Sequence, residues 1–304
     1  MDEYAQLRLG TAPDSWGVWF PDDPNQVPWQ RFLDEAARAG YEWIELGPYG
    51  YLPTDPQQLA DELGKRGLRL SGGAVFAGLH RGPEALEQAV EDCRQEARLL
   101  TALGAEHLVL LPEGYTDLDG NLTQPKQLTS DQWHSLTSGM DQLARVIADE
   151  FDVRLVFHPH ADSHVGTQPE VERFLADTDP GLVNLCLDTG HISYCGGDNL
   201  AIIEKHPERI GYLHLKQVDP SVVAQVEAED LCFAEAVRRG AMIEPPQGIP
   251  AMEPLIEAVA RLDVDLFAIV EQDLYPCAPD TPFPIAERTR HYLGGCGLGP
   301  GRPT

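Results

Sequence analysis

The chain has 304 residues and a hydrophobic fraction of 42%, enough apolar material for one closed core, which excludes intrinsic disorder as its organising state. Its formal charge is −27, with only 22 Lys and Arg and no basic cluster, so a nucleic-acid-binding face is excluded: phosphate neutralisation needs one. The acidic balance itself serves solubility and says nothing about substrate.

Along the chain, short apolar runs alternate with longer stretches of helical period. A strand over 7–12 leads to a helix over 29–39, which places Phe32, Leu33 and Ala36 on one stripe and stops at Gly40. A strand over 43–46 follows; a helix end at Arg66-Gly67 then precedes a strand over 68–74. The helix over 83–103 opens with Pro83 and closes at Gly104, and a strand over 107–111 succeeds it. Residues 113–129 are polar and turn-rich, and a helix over 131–147 carries Leu136, Met140, Leu143 and Ile147 at helical spacing. Strands over 153–157, 183–187 and 210–215 are separated by short helices after Gln168 and Asp198. Residues 219–250 break the rhythm, with a short helix expected around 227–239. A helix after Pro250, a strand over 267–270, a helix after Pro284 and a flexible Gly/Pro-rich tail over 294–304 complete the chain.

Eight strand–helix units with several non-alternating apolar strands predict an α/β fold, a single-domain (β/α)8 TIM barrel over 1–304. No GxGxxG follows an early strand, which argues against a dinucleotide-binding sheet. Both irregular stretches follow strands, so both belong on the C-terminal rim as lids or substrate loops. The six cysteines are scattered without a CxxC pair and read as reduced thiols of a cytoplasmic protein. No apolar run approaches the ~20 residues that span a bilayer, and the opening MDEYAQLRLG is too polar for a signal peptide.

The chemistry is written at the ends of the last four strands. Strand five runs into His158-Pro159-His160, strand six into Asp188-Thr189-Gly190-His191, strand seven carries His214-Leu215-Lys216, and strand eight runs into Glu271-Gln272-Asp273. In a barrel these ends are neighbours, and two imidazoles with two carboxylates converging there suit Mn2+, Co2+, Fe2+ or Zn2+ better than Ca2+. Glu45, ending strand two, reads either as an acid, base or hydroxyl acceptor for substrate or as a buried structural charge. Lys216 lies two residues past His214 on the same side of the strand and either meets a substrate oxygen or pairs with a rim carboxylate. The indole of Trp16 is expected to wall the pocket or cap the barrel. His80 and Glu113 are rim residues without an assigned role.

These motifs, with Gly10-Thr11-Ala12-Pro13-Asp14-Ser15-Trp16-Gly17 and Glu45-Leu46-Gly47, resemble the xylose-isomerase-like barrels, a group of sugar epimerases, hydroxypyruvate isomerases and endonuclease IV. More narrowly they resemble the inosose dehydratases, over about residues 9–292. The resemblance implies metal ligation by His158, Asp188, His214 and Glu271, a substrate contact at His191, and one Mn2+ or Co2+ ion. The substrate it implies is 2-keto-myo-inositol, a small polyhydroxylated ketone that loses water through an enediolate. Glu271, Glu45 and His191 are the candidate bases and His191 and Lys216 the candidate acids, with Trp16, His160, Lys216 and Glu45 as further substrate contacts. One departure stands out: in the epimerases strand five ends in a Glu that pairs with the strand-eight Glu, whereas His158 stands here, which makes two-base epimerisation less natural. An isomerase, epimerase or 3-keto-glycoside lyase is the nearest rival, a non-catalytic carbohydrate-binding barrel a further one, and a homo-oligomer is compatible with all of them.

Overall fold

In this computed structural model residues 4–299 are described. The strands are β1 (Leu7–Thr11), β2 (Trp43–Pro48), β3 (Arg69–Ala77), β4 (His107–Pro112), β5 (Arg154–Phe157), β6 (Asn184–Asp188), β7 (Ile210–Leu215), a two-stranded ribbon of β8 (Gln217–Val218) and β9 (Met242–Ile243), and β10 (Leu266–Val270). The ribbon aside, all are parallel, and β1 pairs with both β2 and β10, so the eight-stranded sheet closes on itself. Every residue of β10 is buried, as a strand covered on both faces requires. Inside the barrel Val109, Val156, Cys186, Tyr212, Phe267 and Ile269 pack as one cluster; a larger apolar shell lies between the strands and the surrounding helices. This is the single-domain TIM barrel that the alternation predicts.

The helices start and stop where side chains satisfy their free backbone groups. Asp55 accepts the Gln58 N–H ahead of Pro56–Arg66, Thr129 and Gln132 form a reciprocal capping box for Ser130–Phe151, and Gly67 ends its helix in the left-handed region at φ 63°. No helix among the described residues is long and apolar enough to cross a membrane.

Several elements differ from the sequence expectation. Strand β3 runs on to Ala77. The single helix expected around 227–239 is two, Pro220–Ala228 and Phe233–Arg238, because Asp219 caps the first at Ser221 and Val222 and Asp230, at φ 50°, turns the chain between them. A further short helix, Thr189–Tyr194, follows β6 directly. The expected tail begins too early: Gly294 and Gly295 close the helix Pro282–Gly295, Leu298 is buried, and Arg290 holds the Gly299 carbonyl at 2.8 Å. Residues 300–304 of that expected tail lie outside the described residues.

At the N-terminal end of the barrel His107 is packed against the Tyr212 and Phe267 rings, and burial, with Arg154 and Arg8 adding to it, pushes its imidazole down from 6.5 to about 4. The unfolded imidazole accepts a proton near its ordinary value while the folded one resists, so native stability falls as pH drops from about 6.5 towards 4. The loss from this group should reach roughly 2 kcal/mol by pH 5. Urea unfolding of wild type and His107→Gln at pH 7.5 and pH 5 checks it; the variant should lose less on acidification, and an equal loss in both proteins refutes the assignment.

Candidate metal centre and substrate cavity

The rim is assembled from strand ends. β6 ends at Asp188, whose Oδ1 accepts the His191 N–H at 2.7 Å and so caps the helix Thr189–Tyr194. The cap fixes the carboxylate and turns Oδ2 towards His158 Nε2, 3.3 Å away at the end of β5, and His214 Nδ1, 3.8 Å away in β7. Glu271, the first residue after β10, brings Oε2 to 2.9 Å from the same His214 nitrogen. Each of the four offers one ligand atom, and these atoms lie within 4.8 Å of one another. The His214 Nδ1 is buried and has no hydrogen-bond partner, as a nitrogen reserved for a cation would be. Two imidazoles and two carboxylates at this spacing fit one divalent transition ion.

Behind the ligands stands a supporting layer. Glu45 Oε2 sits 3.1 Å from His214 Nε2, the carboxylate–imidazole arrangement that orients a ligand ring. Shifts in the β2–β3 register on either side of Glu45 turn its side chain inward. The Ala74 N–H beside this irregularity is taken up by Glu96 from the helix Pro83–Ala102, at 2.7 Å. A Cβ at Gly73 would meet Glu96 Oε1 at 2.0 Å, so a larger residue there would displace the carboxylate from Ala74.

Lys216 occupies the middle of the charges. Its ammonium lies 2.8 Å from Asp273, 3.1 Å from Glu271, 3.3 Å from Asp188 and 3.9 Å from Asp14. Burial works against the charged lysine, but Asp188 and the other carboxylates hold it well above the usual lysine range. Burial likewise opposes ionisation of Glu271, and His214 with Lys216 still draws it down to about 2. Gly190 is what lets the lysine through, since a Cβ there would meet its stem at 2.5 Å.

His191 is neutral by construction. Burial, then His160 and Lys216, push it well below the ordinary imidazole range, and its Nδ1 accepts the Ala161 N–H at 3.1 Å, so the proton resides on Nε2. His160 stacks beside it with centroids 4.0 Å apart; its Nδ1–H donates to the Ala161 carbonyl, and burial, then His158, pushes it down to about 4. These groups line a cavity of about 620 Å3 whose wall also includes Trp19, Phe76, Leu118 and Phe233.

Of the residues singled out from sequence, His158, His214, Glu271, His160, His191, Lys216 and Glu45 border this cavity, and Asp188, fully buried, stands behind them against His158 and His214. Trp16 does not, which corrects its expected contact with substrate. The turn Pro13–Trp16 drives its indole into the core, where Nε1 donates to Glu35 at 2.8 Å and the ring packs edge-on to Phe32. Trp19 borders the cavity instead and donates to Asp273 at 3.2 Å. Asp14 and Asp273, each two residues from a singled-out one, also face Lys216. Glu96, with Oε2 buried and unpartnered on the cavity wall, has no sequence signal beyond a polar helix position.

Fold and rim together define a barrel enzyme with a metal-competent acidic centre at the C-terminal ends of its strands. The chain belongs to the xylose isomerase-like TIM barrel family, whose model matches residues 33–291. It is 31% identical to an inosose dehydratase of Lacticaseibacillus casei, over 94% of this chain and 96% of that protein. It is 29% identical to an inosose dehydratase of Geobacillus thermodenitrificans, over 96% and 98%. Among solved structures the IolI protein with a bound zinc atom shares the fold, with a TM-score of 0.71 and 15% identity over 98% of this chain and 100% of that one.

If Glu45 orients His214, Glu45→Gln should weaken divalent-metal affinity roughly 10- to 100-fold while leaving the fold intact. Competition against a chromophoric chelator measures this, and an unchanged affinity rules the orienting role out.

Proposed function

We propose that the protein is a divalent-metal-dependent hydro-lyase that dehydrates a small cyclic polyhydroxylated ketone of the keto-inositol class. The observation that carries the reading is the convergence of four ligand atoms beside the buried Lys216 at the base of an open cavity. Near-full-length similarity to enzymes named inosose dehydratase supports the substrate class. His158, Asp188, His214 and Glu271 would hold the ion, and a divalent cation there supplies Lewis-acid stabilisation of negative charge on the ketone and its neighbouring hydroxyl. Mn2+ or Co2+ suits this donor set, with Zn2+ and Fe2+ also compatible.

The chain's own residues account for the proton movements. Glu271, kept ionised by His214 and Lys216, takes the proton from the carbon next to the ketone. Lys216 gives a proton to the β-hydroxyl as its carbon–oxygen bond breaks, so water leaves and an enol remains to tautomerise to a dione. Glu271 Oε2 lies 3.1 Å from the lysine nitrogen, so the abstracted proton returns to Lys216 and resets the pair. His191 donates Nε2–H to a substrate hydroxyl, and Glu45 positions His214 without touching the reacting carbon.

Incubating the Mn2+-loaded protein with keto-inositols should produce an absorbing dione. Asp188→Asn should lose bound metal and at least roughly 100-fold in turnover, whereas Lys216→Met should keep metal and lose about 10²- to 10⁴-fold in kcat. Turnover persisting in metal-stripped protein, or an isomeric ketose as product, would overturn the reading.

A further inference from the structure

The C-terminal rim carries a second cavity, of about 360 Å3, lined among others by His80, Gln124, Gln132 and His164. It shares no lining residue with the substrate cavity. Both imidazoles are nearly buried, at 4% and 5% exposure, with ring centroids 4.7 Å apart.

The hydrogen bonds fix both tautomers. Gln124 Nε2 donates to the Gly114 carbonyl at 2.8 Å, which turns Oε1 of the same amide to His80 Nε2, 2.6 Å away. An amide oxygen only accepts, so the hydrogen is on His80 Nε2. His164 Nε2 lies 2.9 Å from the Pro125 carbonyl and must donate as well. Each ring therefore keeps an in-plane lone pair on Nδ1, and neither Nδ1 makes a hydrogen bond among the described residues. Burial, assisted by His164, lowers the His80 imidazole from its ordinary value and keeps that lone pair free of a proton. The neighbouring Arg81 is neutralised by Glu113 at 2.6 Å.

Two neutral imidazoles whose outer N–H groups are anchored on carbonyl oxygens are arranged as metal-binding histidines are, and borderline transition ions prefer such donors. We propose that His80 and His164 form a second cation site, which takes a divalent transition ion such as Zn2+ through their Nδ1 atoms, with water completing the coordination. The site also touches the wall of the substrate cavity. Both histidines grip the segment 113–129, through Gln124 and Pro125, and Gly114, Thr116, Asp117 and Leu118 of that segment wall the substrate cavity. An ion here clamps that wall without touching the reacting centre.

Calorimetric titration of the metal-free protein with Zn2+ tests this independently of the proposed reaction. Wild type should bind two equivalents, Asp188→Ala one, His80→Ala/His164→Ala one, and the combined triple variant none. His164→Asn alone, a smaller polar replacement, serves in place of the double variant if that folds poorly. In the Asp188→Ala protein Zn2+ should also slow backbone amide exchange across 113–129, and adding His164→Asn should abolish the slowing. An Asp188→Ala protein that takes no Zn2+, or a histidine variant that takes as many equivalents as wild type, overturns the site.

Discussion

A buried ammonium surrounded by carboxylates is the constraint around which the rim is built. Asp14, Asp188, Glu271 and Asp273 cannot share so small a buried volume as anions unless cations are interleaved, because each loses its hydration on burial. Lys216, 2% exposed, is the interleaved cation. The direction of the shifts follows. Asp188 lies well below the ordinary carboxylate range: burial opposes this, but Lys216, with the His158 hydrogen bond, outweighs it. Asp14, at 3.9 Å from the lysine and facing Glu271, lies well above it, chiefly through burial. One lysine thus sorts the carboxylates into those that stay charged and one that resists charging.

The barrel makes this cluster possible by spending backbone order where the side chains need it. Thr189 Oγ1 bridges β6 and β7 by donating to the Lys216 carbonyl at 2.7 Å and accepting its N–H at 2.9 Å, which locks the lysine beside Asp188. The Asp188 carboxylate divides its two oxygens, one capping a helix and one facing the centre. The orientation of a ligand is thereby tied to the formation of a helix, so the site is rigid without a dedicated loop.

Much of this was legible in the sequence, for a physical reason. A short apolar run that ends in His, Asp or Glu marks a strand leaving the core, and a closed parallel sheet makes successive strand ends neighbours. That logic brings residues 158, 188, 214 and 271 together without any contact information. It says nothing about which way a residue in a tight turn faces, so Trp16 goes to the core while Trp19, three residues on, borders the pocket. Nor does it register a β-irregularity. The inward turn of Glu45 onto His214 and the entry of Glu96 to satisfy Ala74 both arise from the β2–β3 register shift, which no periodicity announces. Thr189–Tyr194 was hidden because its cap residue reads first as a ligand.

The distribution of protonation states around the cavity bears on which reaction the centre favours. A two-base epimerisation needs a proton acceptor on each face of the substrate. Here the ionised carboxylates Glu271 and Asp188 gather with Lys216, while the neighbouring wall is built from His158, His160 and His191. His191 has its Nδ1 occupied by a backbone N–H and offers a donor, not an acceptor, to the cavity. His160 stacks on His191 with its Nδ1–H committed to the Ala161 carbonyl, so it stands with the neutral wall and not with the carboxylates. An arrangement with one ionised acceptor, one charged donor adjacent to it and a neutral donor beside that charge suits the proposed removal of a proton and a hydroxyl from neighbouring carbons better than exchange of a proton between two faces. His158 at the end of β5, an imidazole where a carboxylate would supply a second acceptor, is the residue from which that asymmetry follows.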